Sequence, residues 1–355
     1  MFAARHRGWI GVDVGTCTVT VAQLVRRHDK LQIGAAVVVP RRSPWSTGDS
    51  LAEGTYSSAD ELRVATSLQP DFRGSRVAAT LPMTLCDVHL VDNSIDVVTR
   101  RPGVIRQAIE TAIQGSAEDL QFDCWSANTQ ESSSQGTQVL TLSKNWSDRL
   151  CEDIGQSGWE CQVLDGMPQA LARAVEMVEQ PDWPKPIAVL DWGFGRATFC
   201  VVVEGRPVYV RSLKDCSFQR LLDAVSEQLN VTSGEVQQLL QNHGLSADGE
   251  QQTAGVAELV SELAAKPLAQ LEQEIQRTIA HLEIQRKATV PQSICLMGGG
   301  GTIRGIAPLL AERLNLNVSL WEMPQQNDSA PLTSATPMCM LGPAAALSAL
   351  AWEKS

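Results

Sequence analysis

The sequence contains no apolar run long enough to cross a lipid bilayer. Its most apolar stretch, residues 338–352, is interrupted by Gly342-Pro343 and is shorter than the roughly 20 residues that a spanning helix needs. Arg5 and Arg7 near the N-terminus are not followed by the apolar core of a signal sequence. We therefore expect no direct membrane insertion, and any association with a membrane to come through a partner.

Metal and disulfide patterns are also missing. The chain has nine cysteines, an odd number with no C-x-x-C pair, and five histidines that lie far apart without ligand spacing. These absences argue against a disulfide framework and against a zinc site. They fit small buried thiols in a reducing cytosol.

Positive charge is in deficit. The chain carries 29 Lys and Arg against 40 Asp and Glu, a net charge of −11. This balance argues against nucleic acid or an anionic membrane surface as the main partner. A hydrophobic content of 43% with 19% charged residues is typical of a globular chain, and 355 residues suit two lobes of ordinary domain size.

One pattern occurs twice. Residues 187–213 predict a strand that ends at Asp191, a glycine bend, a second strand, a Gly-Arg-Pro turn and a third strand. Residues 9–40 repeat it, with Asp13 at the end of the first strand and Gly15 in the bend. The repetition predicts a duplicated architecture of two similar α/β lobes.

Each bend has the chemistry of a phosphate and cation site. Glycine lets the backbone approach a ligand, and successive N–H groups then cradle a phosphate. An aspartate beside such a cradle suits hydrated Mg²⁺. The alternative for either copy is a plain β-hairpin with an Asp-x-Gly bend.

A third glycine motif follows a buried strand predicted over residues 292–297. Four glycines, residues 298–301, lead into a helix predicted over residues 303–314. A helix N-terminus with bare N–H groups attracts anions, so this arrangement predicts a nucleotide approach. The alternative is a glycine turn that lets helix and strand pack closely.

Three helix signals are explicit elsewhere. Ser58 precedes a helix predicted over residues 59–68 and is its expected cap. Thr232 and Glu235 form a predicted capping box, and Gly244 ends that helix. Residues 250–287 predict one or two helices broken near Pro267.

These motifs, in this order, resemble those of the actin, sugar-kinase and Hsp70 ATPase superfamily. Residues 13–16 (DVGT) resemble its first phosphate motif, residues 191–193 (DWG) its second and residues 298–301 its adenosine motif. Within that group the chain most resembles the PilM family of type IV pilus assembly proteins, which is related to FtsA. The matching stretches include GVDVGTCTVTVAQL, AATLP, LDGMPQALARAV, ICLMGGGGTIRGIAPLLAERL and MLGPAAALSAL.

The resemblance implies an α/β, two-lobed actin-like ATPase fold, which is ribonuclease H-like, with a small α+β inserted subdomain. The expected division is residues 1–82 and 143–186 for the first lobe, 83–142 for the inserted subdomain, 187–213 and 288–355 for the second lobe, and 214–287 for its helical subdomain. It also implies ATP with Mg²⁺ in a degenerate site, with the metal at Asp13 and Asp191. The expected nucleotide-binding residues are Asp13, Gly15, Thr16, Cys17, Thr18, Asp191, Gly193, Gly195, Gly298, Gly299, Gly300 and Gly301.

The chain departs from the family pattern at several positions. Relatives carry a threonine six residues after the second aspartate, where this chain has Ala197, with Thr198 one residue later. Gln237 and Leu240 replace an acidic residue and a lysine, and Met167 replaces a polar residue. Hydrolysis needs a group that orients water, and no residue fills that role. We therefore assign no catalytic residue and expect at most a weak ATPase.

The resemblance further implies a cytoplasmic scaffold at the inner face of the inner membrane. Its partner would be the tail of a PilN-type single-pass membrane protein, lying between the first lobe and the inserted subdomain, in pilus or related type II secretion assembly. Self-association into a ring is a further implied property. Two alternatives are a small-molecule kinase with Asp165 as base, although Asp165 also suits a structural role at a strand end, and a filament-forming actin homologue.

Overall fold

The computed structural model describes residues 6–27, 30–45, 56–69, 71–92, 102–126, 136–178, 183–245, 255–323 and 336–353, so the chain ends included in the predicted lobes lie outside the described residues. Within these ranges the strands are β1 (His6–Val14), β2 (Thr18–Arg27), β3 (Lys30–Pro40), β4 (Arg76–Thr80), β5 (Cys86–Asp92), β6 (Leu120–Ser126), β7 (Gly136–Ser143), β8 (Glu160–Leu164), β9 (Ile187–Trp192), β10 (Ala197–Val203), β11 (Arg206–Leu213), β12 (Ser293–Met297) and β13 (Asn317–Leu320). The helices there are α1 (Ala59–Leu68), α2 (Pro102–Ile113), α3 (Lys144–Gln156), α4 (Met167–Val178), α5 (Phe218–Leu229), α6 (Ser233–His243), α7 (Val256–Gln285), α8 (Ile306–Leu314) and α9 (Gly342–Ala349).

Two five-stranded sheets share one topology. The first has the order β3-β2-β1-β4-β8 and the second the order β11-β10-β9-β12-β13. In each, the three strands around the glycine bend are antiparallel, and the other two add in parallel. The predicted duplication of two α/β lobes is therefore confirmed.

The C-terminal helix α9 lies directly on strand β1. A Cβ atom at Gly11 would stand 1.8 Å from the carbonyl oxygen of Ala344, so only glycine allows this approach. The hydroxyl of Ser348 donates to the carbonyl of Trp9 over 2.6 Å and accepts the N–H of Leu24 over 2.9 Å. The division by sequence placed this helix in the second lobe, whereas its contacts join it to the first sheet.

Helices α4 and α9 together fill the layer between the two sheets. One hydrophobic cluster joins residues of β2, α4, β9, β10, β12 and α9. The indole of Trp321, which follows β13, is fully buried there and donates to the carbonyl of Ala174 over 2.7 Å. Burial of large apolar side chains on both sides of α4 ties the two lobes together.

The inserted subdomain has a three-stranded antiparallel sheet in the order β5-β7-β6, with α2 packed on it. It also touches the second lobe. The indole of Trp125 donates to the carbonyl of Pro207 over 2.6 Å, and the amide of Gln138 donates to the carbonyl of Val208 over 3.3 Å. The subdomain thus bridges the two lobes.

Helices α5, α6 and α7 cover the second sheet. The predicted capping box of Thr232 and Glu235 is present at the start of α6, and Gly244 ends that helix. The predicted break near Pro267 is wrong, because α7 continues through it. Proline removes one backbone hydrogen bond, and the buried neighbours Ala264 and Leu268 hold the helix against the core.

The predicted cap at Ser58 is also wrong. Its hydroxyl accepts from the guanidinium of Arg41 over 2.9 Å, and Ser57 instead accepts the N–H of Ala59 over 3.2 Å. A buried cation that needs acceptors therefore takes the hydroxyl that sequence assigned to the helix end.

Candidate functional site

The two glycine bends are built alike. In the first, the N–H of Gly15 donates to the carbonyl of Thr18 over 2.9 Å, and a Cβ atom at Gly15 would lie 2.9 Å from that same oxygen. In the second, a Cβ atom at Gly193 would lie 2.8 Å from the carbonyl of Arg196. Each bend is too tight for a side chain at its glycine, which explains the residue type.

Both bends open onto one cleft between the lobes, which we call the interlobe cleft. The cavity in this cleft has a volume of about 100 Å³. The cleft is therefore narrow. The predicted residues that line it are Asp13, Gly15, Thr16, Cys17, Thr18, Asp191, Gly193, Gly195, Gly298 and Gly299.

Two predicted residues, Gly300 and Gly301, do not line the cleft. A Cβ atom at Gly300 would lie 2.2 Å from the ring of Trp192, and one at Gly301 would lie 3.2 Å from the sulfur of Cys339. These glycines let the backbone pack against the core. The sequence left two explanations for the glycine run, approach to a nucleotide and close packing of the backbone. Close packing explains the second half of the run, Gly300 and Gly301.

The expected helix N-terminus is not at the cleft either. Residues 299–302 form a short 3₁₀ turn, and α8 begins at Ile306 after Gly305. The backbone near that start bonds to the end of α6, because the N–H of Arg304 donates to the carbonyl of Leu240 over 3.2 Å. The positive end of α8 therefore does not act on a ligand between the two bends.

Asp13 and Asp191 form a poorly solvated acidic pair at the base of the cleft. Burial raises the pKa of Asp13 to about 8, with a further contribution from the charge of Asp191, and burial raises the pKa of Asp191 to about 7. The Oδ1 atom of Asp13 is buried without a hydrogen-bond partner among the described residues. A bound cation would remove the cost of both charges.

The donor set fits Mg²⁺ held with a phosphate ligand. No cluster of three or more His, Cys, Asp or Glu side chains within the described ranges could hold a metal alone. Mg²⁺ commonly uses one or two carboxylates together with water and substrate phosphates. Two carboxylates beside two amide-lined bends meet that requirement.

Several threonines in the cleft were not predicted. Thr20 pairs with Asp13 across β1 and β2, and Thr198 pairs with Asp191 across β9 and β10, so these threonines occupy equivalent positions. The hydroxyls of Thr84 and Thr198 are buried without a partner among the described residues, and both line the cleft. Ala197 points into the core instead. The alternation of side chains along β10, which buries Ala197 in the core, is the signal that could have identified Thr198.

The bulky residues of the second bend leave the cleft open. Trp192 lies behind it, where its indole donates to the carbonyl of Cys216 over 2.9 Å and its ring meets that of Phe218 edge to face. Phe194, Phe218 and Gln237 line the side of the cleft that the second lobe provides. This side offers aromatic and amide groups to a flat base.

Arg196 joins the second bend to the first lobe. Its guanidinium donates to the carbonyl of Met83 over 2.7 Å, where the chain enters the inserted subdomain. Burial lowers the pKa of Arg196, and the nearby Asp87 opposes that shift. The contact holds the two walls of the interlobe cleft together.

Asp165 lies outside the cleft. Its carboxylate accepts from Arg173 over 2.9 Å, and burial raises its pKa while Arg173 lowers it. The suggestion of Asp165 as a kinase base is therefore wrong in its geometry, because Asp165 does not face the two bends.

Asp165 borders a second cavity of about 320 Å³, between the first lobe and the inserted subdomain, which we call the subdomain groove. Its apolar lining includes Leu81, Phe122, Leu140, Leu142, Leu164 and Met167. Its charged lining consists of the carboxylates Asp123, Asp148 and Asp165, and no lysine or arginine borders it within the described residues. Met167 borders both the groove and the interlobe cleft.

In the described part of the chain, no helix is both long and apolar enough to cross a membrane. No protein-family model and no curated protein sequence matches the chain.

Solved structures do resemble it. The chain is similar to a chain of the PilM–PilN type IV pilus biogenesis complex, with a TM-score of 0.75, 19% identity, and 98% of this chain and 99% of that one covered. It is also similar to the ethanolamine utilization protein EutJ from Carboxydothermus hydrogenoformans, with a TM-score of 0.54, 12% identity and coverage of 97% and 89%. A diol dehydratase-reactivating factor in nucleotide-free form follows, with a TM-score of 0.52, 10% identity and coverage of 97% and 99%.

These likenesses confirm the expected fold. The chain has the two-lobed actin-like ATPase fold, and its structure resembles the PilM–PilN chain over nearly its whole length. Fold alone does not assign function, which has to be argued from the sites.

Proposed function

We propose that this chain is a cytoplasmic actin-like scaffold that binds the tail of a PilN-type, single-pass membrane protein in the subdomain groove. Through that partner it acts at the inner face of the inner membrane, in type IV pilus or related type II secretion assembly. The observation that carries the proposal is the open groove between the first lobe and the inserted subdomain. The structural likeness to the PilM–PilN complex supports it.

The chemistry of the groove defines the segment that it would accept. Its floor is apolar, so it favours an extended segment with apolar side chains. Its carboxylates Asp123 and Asp148 favour a basic residue in that segment. A short cytoplasmic tail that carries both features satisfies the groove.

A peptide titration tests this part of the proposal. A fluorescent peptide copying the cytoplasmic tail of the PilN-type protein from the same genome should bind the parent protein. Leu164→Arg, at the groove, should weaken binding about tenfold or more, because the long cationic side chain takes up apolar space. Leu68→Arg, at an exposed position on α1, is the matched control and should bind normally. If the parent protein shows no measurable binding of the peptide, the proposal is contradicted.

We also propose that the interlobe cleft binds ATP with Mg²⁺. Asp13 and Asp191 would hold the metal, and the amides of the two bends would face the phosphates. When bound, Mg²⁺ neutralises phosphate charge and fixes the phosphates relative to the protein. Titration with Mg²⁺–ATP, repeated in EDTA and with Asp13→Ala, should show binding only for the parent protein with metal.

Hydrolysis should be weak at most. Among the described residues that line the cleft, the carboxylates are Asp13 and Asp191 alone, and both are assigned to the metal. Among the described residues, no histidine or glutamate that could orient a water molecule lines the cleft. We expect ATP to act as a binding signal.

The two sites share structure that would couple them. Met167 borders both cavities, and Arg196 bonds across the cleft to Met83 at the entry of the inserted subdomain. A ligand with different affinity for open and closed lobes shifts the population between them. The coupling must be reciprocal, so ATP should change the Kd of the tail peptide by the factor by which the peptide changes the Kd of ATP.

Self-association into a ring belongs to the same proposal. Sedimentation velocity with and without ATP and tail peptide measures it, and growth into long filaments would favour the filament-forming alternative.

A further inference from the structure

Arg41, directly after β3, is buried against the back of the first glycine bend. Only 1% of its side chain is exposed. Its Nε–H donates to the carbonyl of Gly15 over 2.9 Å. Its backbone N–H donates to the carbonyl of Cys17 over 2.8 Å, and the backbone N–H of Trp45 donates to the carbonyl of Thr16 over 2.8 Å. Three successive carbonyls of the bend therefore bond to residues 41–45.

The orientation of these carbonyls fixes the orientation of the amides. In a trans peptide the C=O of one residue and the N–H of the next point in opposite directions. Because the carbonyls of Gly15 and Thr16 point toward residues 41–45, the N–H groups of Thr16 and Cys17 point the other way. Both residues line the interlobe cleft. The contacts made by Arg41 and Trp45 thus leave these amides facing the cleft.

All three nitrogens of the guanidinium bond to partners inside the protein. Its Nη2 donates to the hydroxyl of Ser58 over 2.9 Å, and its Nη1 lies 3.3 Å from the carboxylate of Glu61 and 3.4 Å from the carbonyl of Ser57. Its face stacks on the ring of Trp45 at 3.9 Å. With its donors and one face occupied, Arg41 supports the bend and does not reach the ligand itself.

The second bend obtains the same orientation from backbone alone. The carbonyls of Gly193 and Phe194 accept from the N–H groups of Phe218 and Gln219, each over 3.0 Å. The backbone at the start of α5 therefore fixes the carbonyls of the second bend, as residues 41–45 fix those of the first. The support of the first bend includes a side chain, so a point mutation tests it.

We propose that Arg41 is the positioning residue of the first phosphate-binding bend, which it holds with its amides directed at the phosphates. This role rests on the proposed nucleotide function of the cleft. A planar guanidinium suits it, because three nitrogens at fixed angles reach the bend, the α1 entry and Glu61 together. Lysine has one nitrogen and cannot make this set of bonds.

The test compares Arg41→Lys and Arg41→Met with Glu61→Gln. Glu61→Gln weakens the ion pair of Arg41 but keeps its Nε–H bond to the bend, so it controls for general loss of stability. Calorimetry gives the Kd of Mg²⁺–ATP and of adenosine, which lacks phosphates. Hydrogen exchange of the metal-free, nucleotide-free protein follows the amides of Gly15 and Trp45, which are bonded within this unit.

We expect both Arg41 variants to weaken ATP binding about tenfold or more and to leave adenosine binding within about twofold, because a charge-assisted bond to the bend is lost. The amides of Gly15 and Trp45 should exchange about tenfold faster in both variants. Glu61→Gln should change neither the ratio of the two Kd values nor these exchange rates by more than about twofold. If Arg41→Met does not fold, Arg41→Lys decides.

Two results would overturn the positioning role. One is an unchanged ratio of the ATP and adenosine Kd values in Arg41→Lys, and the other is unchanged exchange at Gly15 and Trp45. If the parent protein binds neither ligand, the nucleotide function fails, and exchange alone then decides whether Arg41 holds the bend.

Discussion

Asp13 and Asp191 come from different sheets, yet the charge of Asp191 helps to raise the pKa of Asp13. Neither strand needs an acidic residue for its own stability. The pair exists because two copies of one strand–bend–strand unit face each other across a cleft. Two buried carboxylates whose pKa values are both raised cost free energy in the metal-free protein, a cost that the proposed cation would remove.

Asp13→Asn should therefore stabilise the metal-free protein. The substitution keeps the size of the side chain and removes a poorly solvated charge, so the free energy of unfolding should rise by about 1–3 kcal/mol. Urea unfolding in EDTA measures it. Asp60→Asn, at an exposed position on α1, is the control and should stay within about 0.5 kcal/mol of the parent. A destabilised Asp13→Asn protein would contradict the cation-site interpretation.

The difference in stability between Asp13→Asn and the parent should depend on pH. Burial raises the pKa of Asp13 from 3.8 to about 8, so the folded state binds a proton that the unfolded state has released between these values. The free energy of unfolding contributed by Asp13 is then fully present below pH 3.8, falls as pH rises and levels off above about 8. In EDTA, the advantage of Asp13→Asn should grow from pH 5 to pH 8, grow more slowly from pH 8 to about pH 9, and be constant above that. An advantage that shrinks over the first interval would have the wrong sign.

Arg196→Met should loosen the interlobe cleft. The bond from Arg196 to Met83 is replaced by an apolar side chain that leaves the carbonyl unpaired, so closure around ATP should cost about 1–3 kcal/mol more. We expect the Kd of Mg²⁺–ATP to rise about tenfold and the effect of ATP on tail-peptide affinity to fall. Arg220→Met, in an exposed ion pair near the start of α5, is the control. Unchanged ATP affinity and coupling in Arg196→Met would remove Arg196 from the connection between the sites.

Local sequence patterns predicted much of the fold and part of the candidate site. Apolar runs that end in Asp-x-Gly predicted both bends, and their repetition predicted two lobes with one topology. The capping box at Thr232 was readable because all of its atoms lie within one helical turn. These features depend on neighbours in sequence, which periodicity and turn chemistry report directly.

Contacts between residues that lie far apart in the sequence could not be predicted from such patterns. Gly11 lacks a side chain and so allows α9, hundreds of residues later in the chain, to pack against β1. The hydroxyl of Ser58 accepts from Arg41 instead of capping its own helix. Gly300 and Asp165 look like ligand residues by type, but tertiary packing turns the first toward Trp192 and pairs the second with Arg173. Residue type alone cannot distinguish a glycine needed for a ligand from one needed for a tryptophan.

The glycine run offers a direct comparison of these two uses. A Cβ atom at Gly300 would stand 2.2 Å from the ring of buried Trp192, so Gly300→Ala should lower the free energy of unfolding by about 3 kcal/mol, as overpacked cores do. A Cβ atom at Gly299 would stand 3.1 Å from the ring edge of Phe218, and Gly299 lines the cleft. Gly299→Ala should therefore cost less than about 1 kcal/mol of stability and should weaken ATP binding, because the new methyl group narrows an already narrow cleft. Urea unfolding and ATP titration of both variants separate the two effects. A Gly300→Ala protein that keeps the stability of the parent but no longer binds ATP would show instead that Gly300 belongs to the nucleotide site.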